Sequence, residues 1–103
     1  MRRLPTERPP THPGEMLVEE FLKPLDVGQS DFADNLGIPY TQLDDIICER
    51  RAVTPTLALR LARVLGMTPD FWLGLQQDWD LWHAMRSDAV NEINQLRPLV
   101  VMA

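Results

Sequence analysis

Residues 29–46 read QSDFADNLGIPYTQLDDI, and this stretch decides the fold. Its apolar residues recur at the three-to-four-residue spacing of two short helices; they are Phe32, Ala33, Leu36, Ile38, Leu43 and Ile46. Gly37 stands where a helix commonly ends in a left-handed glycine, and Ala33 is small enough to let two helices cross closely. The pattern therefore predicts helices over about residues 29–35 and 39–49, joined by a tight turn.

The second helix of this pair has two distinct faces. Ile38, Leu43 and Ile46 anchor it inward and leave the opposite face exposed; that face carries Tyr40, Thr41, Gln42, Asp44 and Asp45. A helix supported in this way can enter the major groove of DNA, although an ordinary hairpin of a small helical bundle has the same pattern. One predicted helix before the pair and two after it favour a helix-turn-helix DNA-binding domain.

Cap and proline signals predict the flanking helices. The first opens at Pro13, and Pro24 is expected to end or kink it near Lys23. Thr54-Pro55 and Thr68-Pro69 are two further helix starts, and Gly66 closes the helix between them. The inward stripe of that helix is expected to consist of Leu57, Leu61, Val64 and Leu65.

The two ends of the chain are expected to lie outside the domain, which spans residues 12–83. Residues 1–11 form an extended, proline-rich arm; it is either a solvated tail or a phosphate contact made by Arg2, Arg3 and Arg8. Residues 84–103 form a C-terminal extension. We expect residues 84–96 to prolong the last helix through Ala89, Ile93 and Leu96, and the apolar end to add a short strand or a dimer patch, built from Leu99, Val100, Val101 and Met102.

Composition limits the compartment and the mode of binding. The chain has 103 residues, enough for one core, and its single Cys48 excludes an internal disulfide. No apolar run approaches the roughly 18 residues of a membrane span, and no signal peptide is recognisable, so we expect a cytoplasmic protein. The net charge of −5 argues against a generally basic surface for nucleic acid, while a local basic face stays open.

Nothing in the sequence indicates catalysis. His12, Cys48 and His83 do not stand at metal-ligand spacing. Asp80 and His83 share a helical face, but Asp78 points away from them. There is no glycine-rich phosphate loop and no nucleophile elbow. We therefore expect a binding protein without cofactor or metal rather than an enzyme.

The chain resembles the HigA/VapI branch of the lambda-repressor-like (XRE) family, the antitoxins of HigBA-type toxin–antitoxin systems. The resemblance covers about residues 12–82. It is carried by HPGEML at 12–17, EFLKPL at 20–25, the helix-turn-helix at 29–48, TPTLALRLA at 54–62, TPDFWLGLQ at 68–76 and DLW at 80–82. It implies an all-α, five-helix domain that dimerises, represses its own operon through an upstream operator, and neutralises a RelE/HigB-like toxin that cleaves mRNA on ribosomes.

The resemblance also implies a DNA interface. The matching base-reading positions are Tyr40, Thr41, Gln42 and Asp44. Contacts to the DNA backbone would come from Gln29 and Ser30, at the start of the first helix of the motif, and from Arg50 and Arg51. Gln42 suits a bidentate contact to adenine, and a carboxylate suits the amino group of cytosine.

Two features depart from the family's pattern. Over residues 39–51 the acidic Asp44, Asp45 and Glu49 outnumber the two arginines. Cys48-Glu49 stands where relatives usually have Asn-Gly. The acidic helix favours an alternative function, a helix-turn-helix scaffold for protein–protein contact with lost DNA binding. A solitary XRE-type regulator is the other alternative.

Several side chains allow two interpretations. Trp72 is expected in the core, whereas Trp79 and Trp82 are either core residues or contacts to a partner. Arg60 and Arg63 lie on the polar side of their helix. Each is either solvated or close to the DNA backbone.

Overall fold

A computed structural model describes residues 8–100 and is all-α over that range, as expected from the sequence. The first helix, α1, consists of three consecutive segments, Pro13–Leu17, Val18–Leu22 and Lys23–Leu25. It is followed by α2 (Gln29–Leu36), α3 (Tyr40–Ile47), α4 (Pro55–Leu65), α5 (Pro69–Ala84) and α6 (Ala89–Asn94). Helices α1–α5 form the expected five-helix domain. None of the helices between residues 8 and 100 is long and apolar enough to span a bilayer.

Three helices begin with a capping side chain followed by proline. The hydroxyls of Thr54 and Thr68 each accept a backbone N–H three residues further on, at 3.3 Å, as the sequence predicts. The third cap is His12, whose Nδ1 accepts the Gly14 N–H at 2.9 Å. The imidazole therefore satisfies one of the free donors at the start of α1.

Of the two outcomes expected at Pro24, an end or a kink near Lys23, the end does not occur there, because helix α1 passes Pro24 and ends at Leu25. The segment Val18–Leu22 is a π-helical turn, and at its end the Lys23 N–H donates to the Val18 carbonyl, five residues back. This widened turn directly precedes Pro24, which has no N–H to donate and whose ring would crowd the carbonyl four residues back in a regular helix. Asp26 then closes the helix in a left-handed conformation with φ of 56°.

The core lies between the first five helices. Its buried apolar residues are Leu17, Leu22, Phe32, Ala33, Leu36, Leu43, Ile46, Val53, Leu57, Ala58, Leu61 and Trp72. Val64, expected to face inward, is 41% exposed. Leu61 and Leu65 occupy the core side of this last turn of α4 in its place.

The C-terminal extension differs from its prediction. Helix α5 ends at Ala84, and α6 follows as a separate six-residue helix rather than as a continuation. The apolar residues that indicated a longer helix, Ile93 and Leu96, are 55% and 72% exposed. Leu99 and Val100 form a bend and no strand, and the remainder of the predicted strand, residues 101–102, lies outside the described residues.

Candidate nucleic-acid interface

The turn between α2 and α3 has the predicted left-handed glycine. Gly37 has φ of 71°. The N–H groups of Gly37 and Ile38 donate to the carbonyls of Asp34 and Ala33, both at 3.1 Å. These bonds satisfy carbonyls at the end of α2 that would otherwise have no helical partner. The turn therefore fixes the direction in which α3 leaves α2.

Arg60, on α4, braces this turn from outside. Its Nη1 donates to the carbonyl of Leu36 at 2.8 Å and to that of Gly37 at 3.5 Å. A cation at the C-terminal end of α2 also complements the helix dipole. From the sequence, Arg60 was expected to be either solvated or close to the DNA backbone. In the structure it bonds the turn of the helix-turn-helix.

Helix α3 is supported from behind by α1. A Cβ added to Gly14 would lie 2.3 Å from the Ile46 carbonyl oxygen and 2.8 Å from the Ile47 Cα. Only glycine permits an approach this close. The sequence interpretation assigned the close crossing to Ala33 alone and missed this contact. The sequence feature that could have indicated the contact is Gly14 itself, because glycine within a helix is about 1 kcal/mol less favourable than alanine.

The outer face of α3 carries the three expected base readers at its start. Tyr40 is half exposed and Thr41 is exposed. Gln42 is partly buried, whereas Leu43 beside it is buried in the core. Residues at the start of a recognition helix are the ones that contact base edges in helix-turn-helix proteins. The first turn of α3 therefore has the geometry that base reading needs.

The two arginines expected on phosphate are paired with the two aspartates of α3. Arg50 Nη2 lies 3.1 Å from Asp44 Oδ2 and 3.1 Å from Asp45 Oδ1, and Arg50 Nε donates to Asp45 Oδ1 at 3.2 Å. Arg51 Nη2 lies 3.6 Å from Asp45 Oδ2. The hydrogen bond that Arg50 donates to Asp45 is the main reason why the pKa of Arg50 is raised. We call these four residues the charge cluster.

Gln29 joins the charge cluster from the start of α2. Its Nε2 donates to Asp44 Oδ1 at 3.4 Å, a long hydrogen bond. The structure thus brings together four of the eight predicted site residues, Gln29, Asp44, Arg50 and Arg51, and their neighbour Asp45, although they come from α2, α3 and the segment after α3. Ser30 is exposed in the first turn of α2, and among the described residues no hydrogen bond joins it to the charge cluster.

A left-handed residue directs Arg50 back towards α3. Helix α3 ends at Ile47, two residues earlier than predicted, and Glu49 has φ of 65°. The Arg50 N–H then donates to the Asp45 carbonyl at 2.7 Å. Glycine suits this conformation far better than glutamate. Glu49 therefore occupies a conformation that favours glycine, the residue that the family resemblance places there.

Gln76 connects the segment after α3 to α5. Its buried side chain accepts the Val53 N–H on Oε1 at 2.9 Å and donates from Nε2 to Asp80 Oδ1 at 2.9 Å. The amide is thus satisfied on both sides, as a buried polar group requires. Gln76 belongs to the TPDFWLGLQ motif at 68–76, but its position in the sequence did not predict this role.

An aromatic column joins α1 to the second half of α5. The Trp79 ring meets His12 edge-on at 4.8 Å and His83 at 4.4 Å between centroids. The Arg86 guanidinium lies 3.7 Å above the Trp82 ring, a cation–π contact. Burial is the main cause that lowers the pKa of His12. Trp72 is fully buried in the core, as predicted.

The exposed groups around α3 are suited to hydrogen bonding. Within residues 8–100 no three His, Cys, Asp or Glu side chains are grouped so that they could hold a metal ion. The exposed groups around α3 are hydroxyls, an amide, carboxylates and guanidinium groups. They can exchange hydrogen bonds with base edges and phosphates.

Comparisons with known proteins agree with this geometry. No protein-family model matches the chain. It is 35% identical to antitoxin HigA-1 of Vibrio cholerae, over 93% of this chain and 90% of that protein. It is 37% identical to virulence-associated protein I of Dichelobacter nodosus, over 90% and 84%. Identity to the uncharacterized HTH-type regulator YbaQ of Escherichia coli is 41%, over 73% of this chain and 66% of YbaQ, just under two thirds of its length.

Solved structures of similar chains include complexes with DNA. Antitoxin GraA in complex with its operator has a TM-score of 0.82 and 36% identity, over 96% of this chain and all of that one. Pseudomonas aeruginosa antitoxin HigA with the higBA promoter has a TM-score of 0.81 and 31% identity, over 88% and 99%. The similarity therefore extends over nearly the whole described fold.

Proposed function

Because the chain belongs to the family of HigA antitoxins and helix-turn-helix transcriptional regulators, we propose that it is the antitoxin of a HigBA-type system and represses its own operon. The observation that carries this proposal is the likeness to antitoxin GraA in complex with its operator, over 96% of the chain. The exposed first turn of α3 supports it independently. A recognition helix needs such a face to enter the major groove.

Base reading is assigned to the start of α3. Tyr40 and Thr41 are exposed there and Gln42 is partly exposed, while Leu43 holds the helix in the core. The Gln42 amide can bond both the N6 and the N7 of adenine, a bidentate contact worth about 1–3 kcal/mol of discrimination. Gln42 is therefore the residue on which operator preference should depend most directly.

Contacts to the DNA backbone are assigned to Gln29, Ser30, Arg50 and Arg51. The two arginines supply the sequence-independent part of the affinity, because each phosphate contact releases counterions. To reach phosphate, Arg50 and Arg51 have to leave the aspartates that now bind them. Asp44 Oδ2 then becomes free to accept a hydrogen bond from a base.

We assign the homodimer contact to the C-terminal part of the chain. The end of α5 and the extension after it expose a series of large apolar side chains, namely Leu81, Met85, Ile93, Leu96, Leu99 and Val100. Exposed apolar residues in this number are typical of an interaction surface. In a two-fold dimer on a palindromic operator, the two copies of α3 would lie about 34 Å apart, one turn of DNA. Residues 12–83 then form the DNA-binding domain, residues 84–103 the contact segment and residues 1–11 an arm.

The second partner is a RelE/HigB-like toxin. The likeness to antitoxin HigA-1 and antitoxin GraA supports this assignment. Its test is co-expression of the chain with the toxin encoded beside it, if there is one. Growth rescue and co-purification support the antitoxin role, and failure of both leaves the chain as a solitary regulator.

A helix-turn-helix scaffold without DNA binding is the competing function. The observation in its favour is the charge cluster, in which the two arginines are already paired with Asp44 and Asp45. On this alternative the fold serves only a protein partner. The two functions differ in one measurable property, affinity for the upstream DNA at low salt.

The test is a binding titration on the chain's own upstream DNA at about 50 mM and about 200 mM salt. We expect specific binding by the wild type and relaxed specificity for Gln42→Ala. The double variant Arg50→Ala/Arg51→Ala should weaken binding to every sequence and reduce the salt slope by about 1 per lost phosphate contact. In the same titration, Arg63→Ala tests whether this exposed arginine of α4 also contacts the DNA backbone. Absence of wild-type binding at low salt overturns the repressor function.

A further inference from the structure

The charge cluster neutralises the cations of the recognition face. Two carboxylates and two guanidinium groups sum to zero charge, and Asp45 contacts both arginines. Electrostatic binding to arbitrary DNA depends on cations that are free to meet phosphate. A protein whose nearest arginines are held by its own aspartates should therefore bind arbitrary DNA poorly.

The backbone conformation around Glu49 positions the ion pairs of the charge cluster. A single exposed ion pair contributes little, since two long side chains lose freedom to form it. Here the left-handed Glu49 turns the chain, and the Arg50 N–H bonds the Asp45 carbonyl at 2.7 Å. This bond holds the Arg50 backbone against the last turn of α3, and the Arg50 side chain therefore lies within reach of the carboxylates of Asp44 and Asp45. The entropic cost of the pairing is correspondingly lower.

Release of the arginines leaves a carboxylate facing DNA. When Arg50 moves to a phosphate, Asp44 Oδ2 loses its partner while the backbone phosphates repel it. In the major groove only the amino groups of cytosine and adenine offer it a hydrogen-bond donor. Where bases without such a group face Asp44, release of Arg50 is unfavourable.

We propose that Asp44 and Asp45 determine specificity by restraining Arg50 and Arg51, and that the arginines reach phosphate only where cytosine or adenine offers its amino group to Asp44. The proposal rests on the proposed DNA-binding function and names the residues that suppress binding elsewhere. Asp45 is the restraining residue, and Asp44 couples the release of Arg50 to the base sequence.

The experiment measures fluorescence anisotropy of two labelled duplexes, one of random sequence and one of upstream DNA, at two salt concentrations. The variants are Asp45→Asn and Asp44→Asn. The matched control is Glu49→Gln, which removes the same charge one residue before Arg50. Among the described residues, Glu49 forms no ion pair with either arginine.

We expect Asp45→Asn to bind random DNA about threefold to tenfold more tightly than the wild type, with a salt slope steeper by about 1–2. Asp44→Asn should reduce the ratio of upstream to random affinity. The Glu49→Gln variant should change random binding by less than about twofold. Circular dichroism melting of each variant verifies that all of them are folded.

Two results overturn the restraint. One is a random-DNA affinity of Asp45→Asn equal to that of Glu49→Gln, because the effect is then one of net charge alone. The other is an unchanged ratio of upstream to random affinity in Asp44→Asn. Failure of the proposed function gives a different result, namely a wild type that does not prefer upstream DNA to random DNA. In that case the affinities of Asp45→Asn and Glu49→Gln for the random duplex still show whether Asp45 restrains the arginines.

Discussion

The contact between Gly14 and α3 leads to a sharp prediction for Gly14→Ala. The substitution adds one methyl group in the first turn of α1, and its Cβ would stand 2.3 Å from the Ile46 carbonyl oxygen. An ordinary contact begins at 3.4 Å, so α3 has to retreat from α1 by about 1 Å. The added Cβ would also lie 2.8 Å from the Ile47 Cα, so a small shift away from the Ile46 carbonyl alone does not relieve the overlap.

The magnitude follows from two opposing terms. Insertion of a methyl group into a packed contact costs about 1–3 kcal/mol, and here the obstacle is backbone, which cannot rotate away. Alanine's better helix propensity offsets at most about 1 kcal/mol. We expect a net loss of about 2 kcal/mol in the free energy of unfolding, or about 8–16 °C in Tm. Because α3 is displaced, operator affinity should fall as well.

The assay is denaturant unfolding followed by circular dichroism, with Gly28→Ala as control. Gly28 precedes α2 in an extended conformation with φ of −76°, and no atom lies within 4 Å of its added Cβ. The same methyl group there should cost less than about 1 kcal/mol, the loss of a good cap residue. Equal stability of the two variants would refute the reasoning, because the α1–α3 contact would then not require glycine.

Three further perturbations test other parts of the structure. Glu49→Gly relieves a left-handed glutamate and should raise the free energy of unfolding by about 0.5–1 kcal/mol; a loss in urea unfolding would show that the side chain contributes more than its backbone costs. Arg60→Ala removes the brace on the helix-turn-helix and should cost about 1 kcal/mol, with exposed Arg63→Ala near zero in the same assay; similar losses would count against the brace. Burial lowers the pKa of His12 below its ordinary 6.5. The contribution of neutral His12 to the free energy of unfolding is therefore present above pH 6.5 and is lost as the pH falls below that value. Thermal melts from pH 7.5 to 5 should show this decline, and His12→Asn, which keeps a capping acceptor without a titrating ring, should flatten it; an unchanged slope would exclude His12 as its source.

Helix boundaries were predictable where the signal is local. Thr54 and Thr68 cap helices whose first residue is proline, and Gly37 and Gly66 end helices in a left-handed conformation. Each of these signals lies within a few residues of the boundary that it determines. The break after Ala84 was not predictable, because Ile93 and Leu96 keep helical spacing although neither is buried.

The site was predictable as a face but not as a set of contacts. Helical periodicity correctly separated Tyr40 and Thr41 from the buried Leu43. The contact between Arg60 and Leu36 joins residues that are 24 apart. The approach of Gly14 to Ile46 likewise joins residues far apart in the chain, so both depend on how helices pack. The pairing of Arg50 with the aspartates depends on the backbone conformation of Glu49, which the residue type itself disfavours.

The proposed division of α3 into anchoring and base-reading residues has an evolutionary consequence. Leu43 and Ile46 fix the helix in the core, whereas the proposed base readers lie outside it, Tyr40 and Thr41 exposed and Gln42 partly buried. Stability and operator preference are therefore nearly independent heritable traits. After gene duplication, one copy can acquire a preference for a new operator through substitutions at its base-reading residues alone, without passing through variants that do not fold. Each such substitution also reduces binding of one copy to the operator of the other.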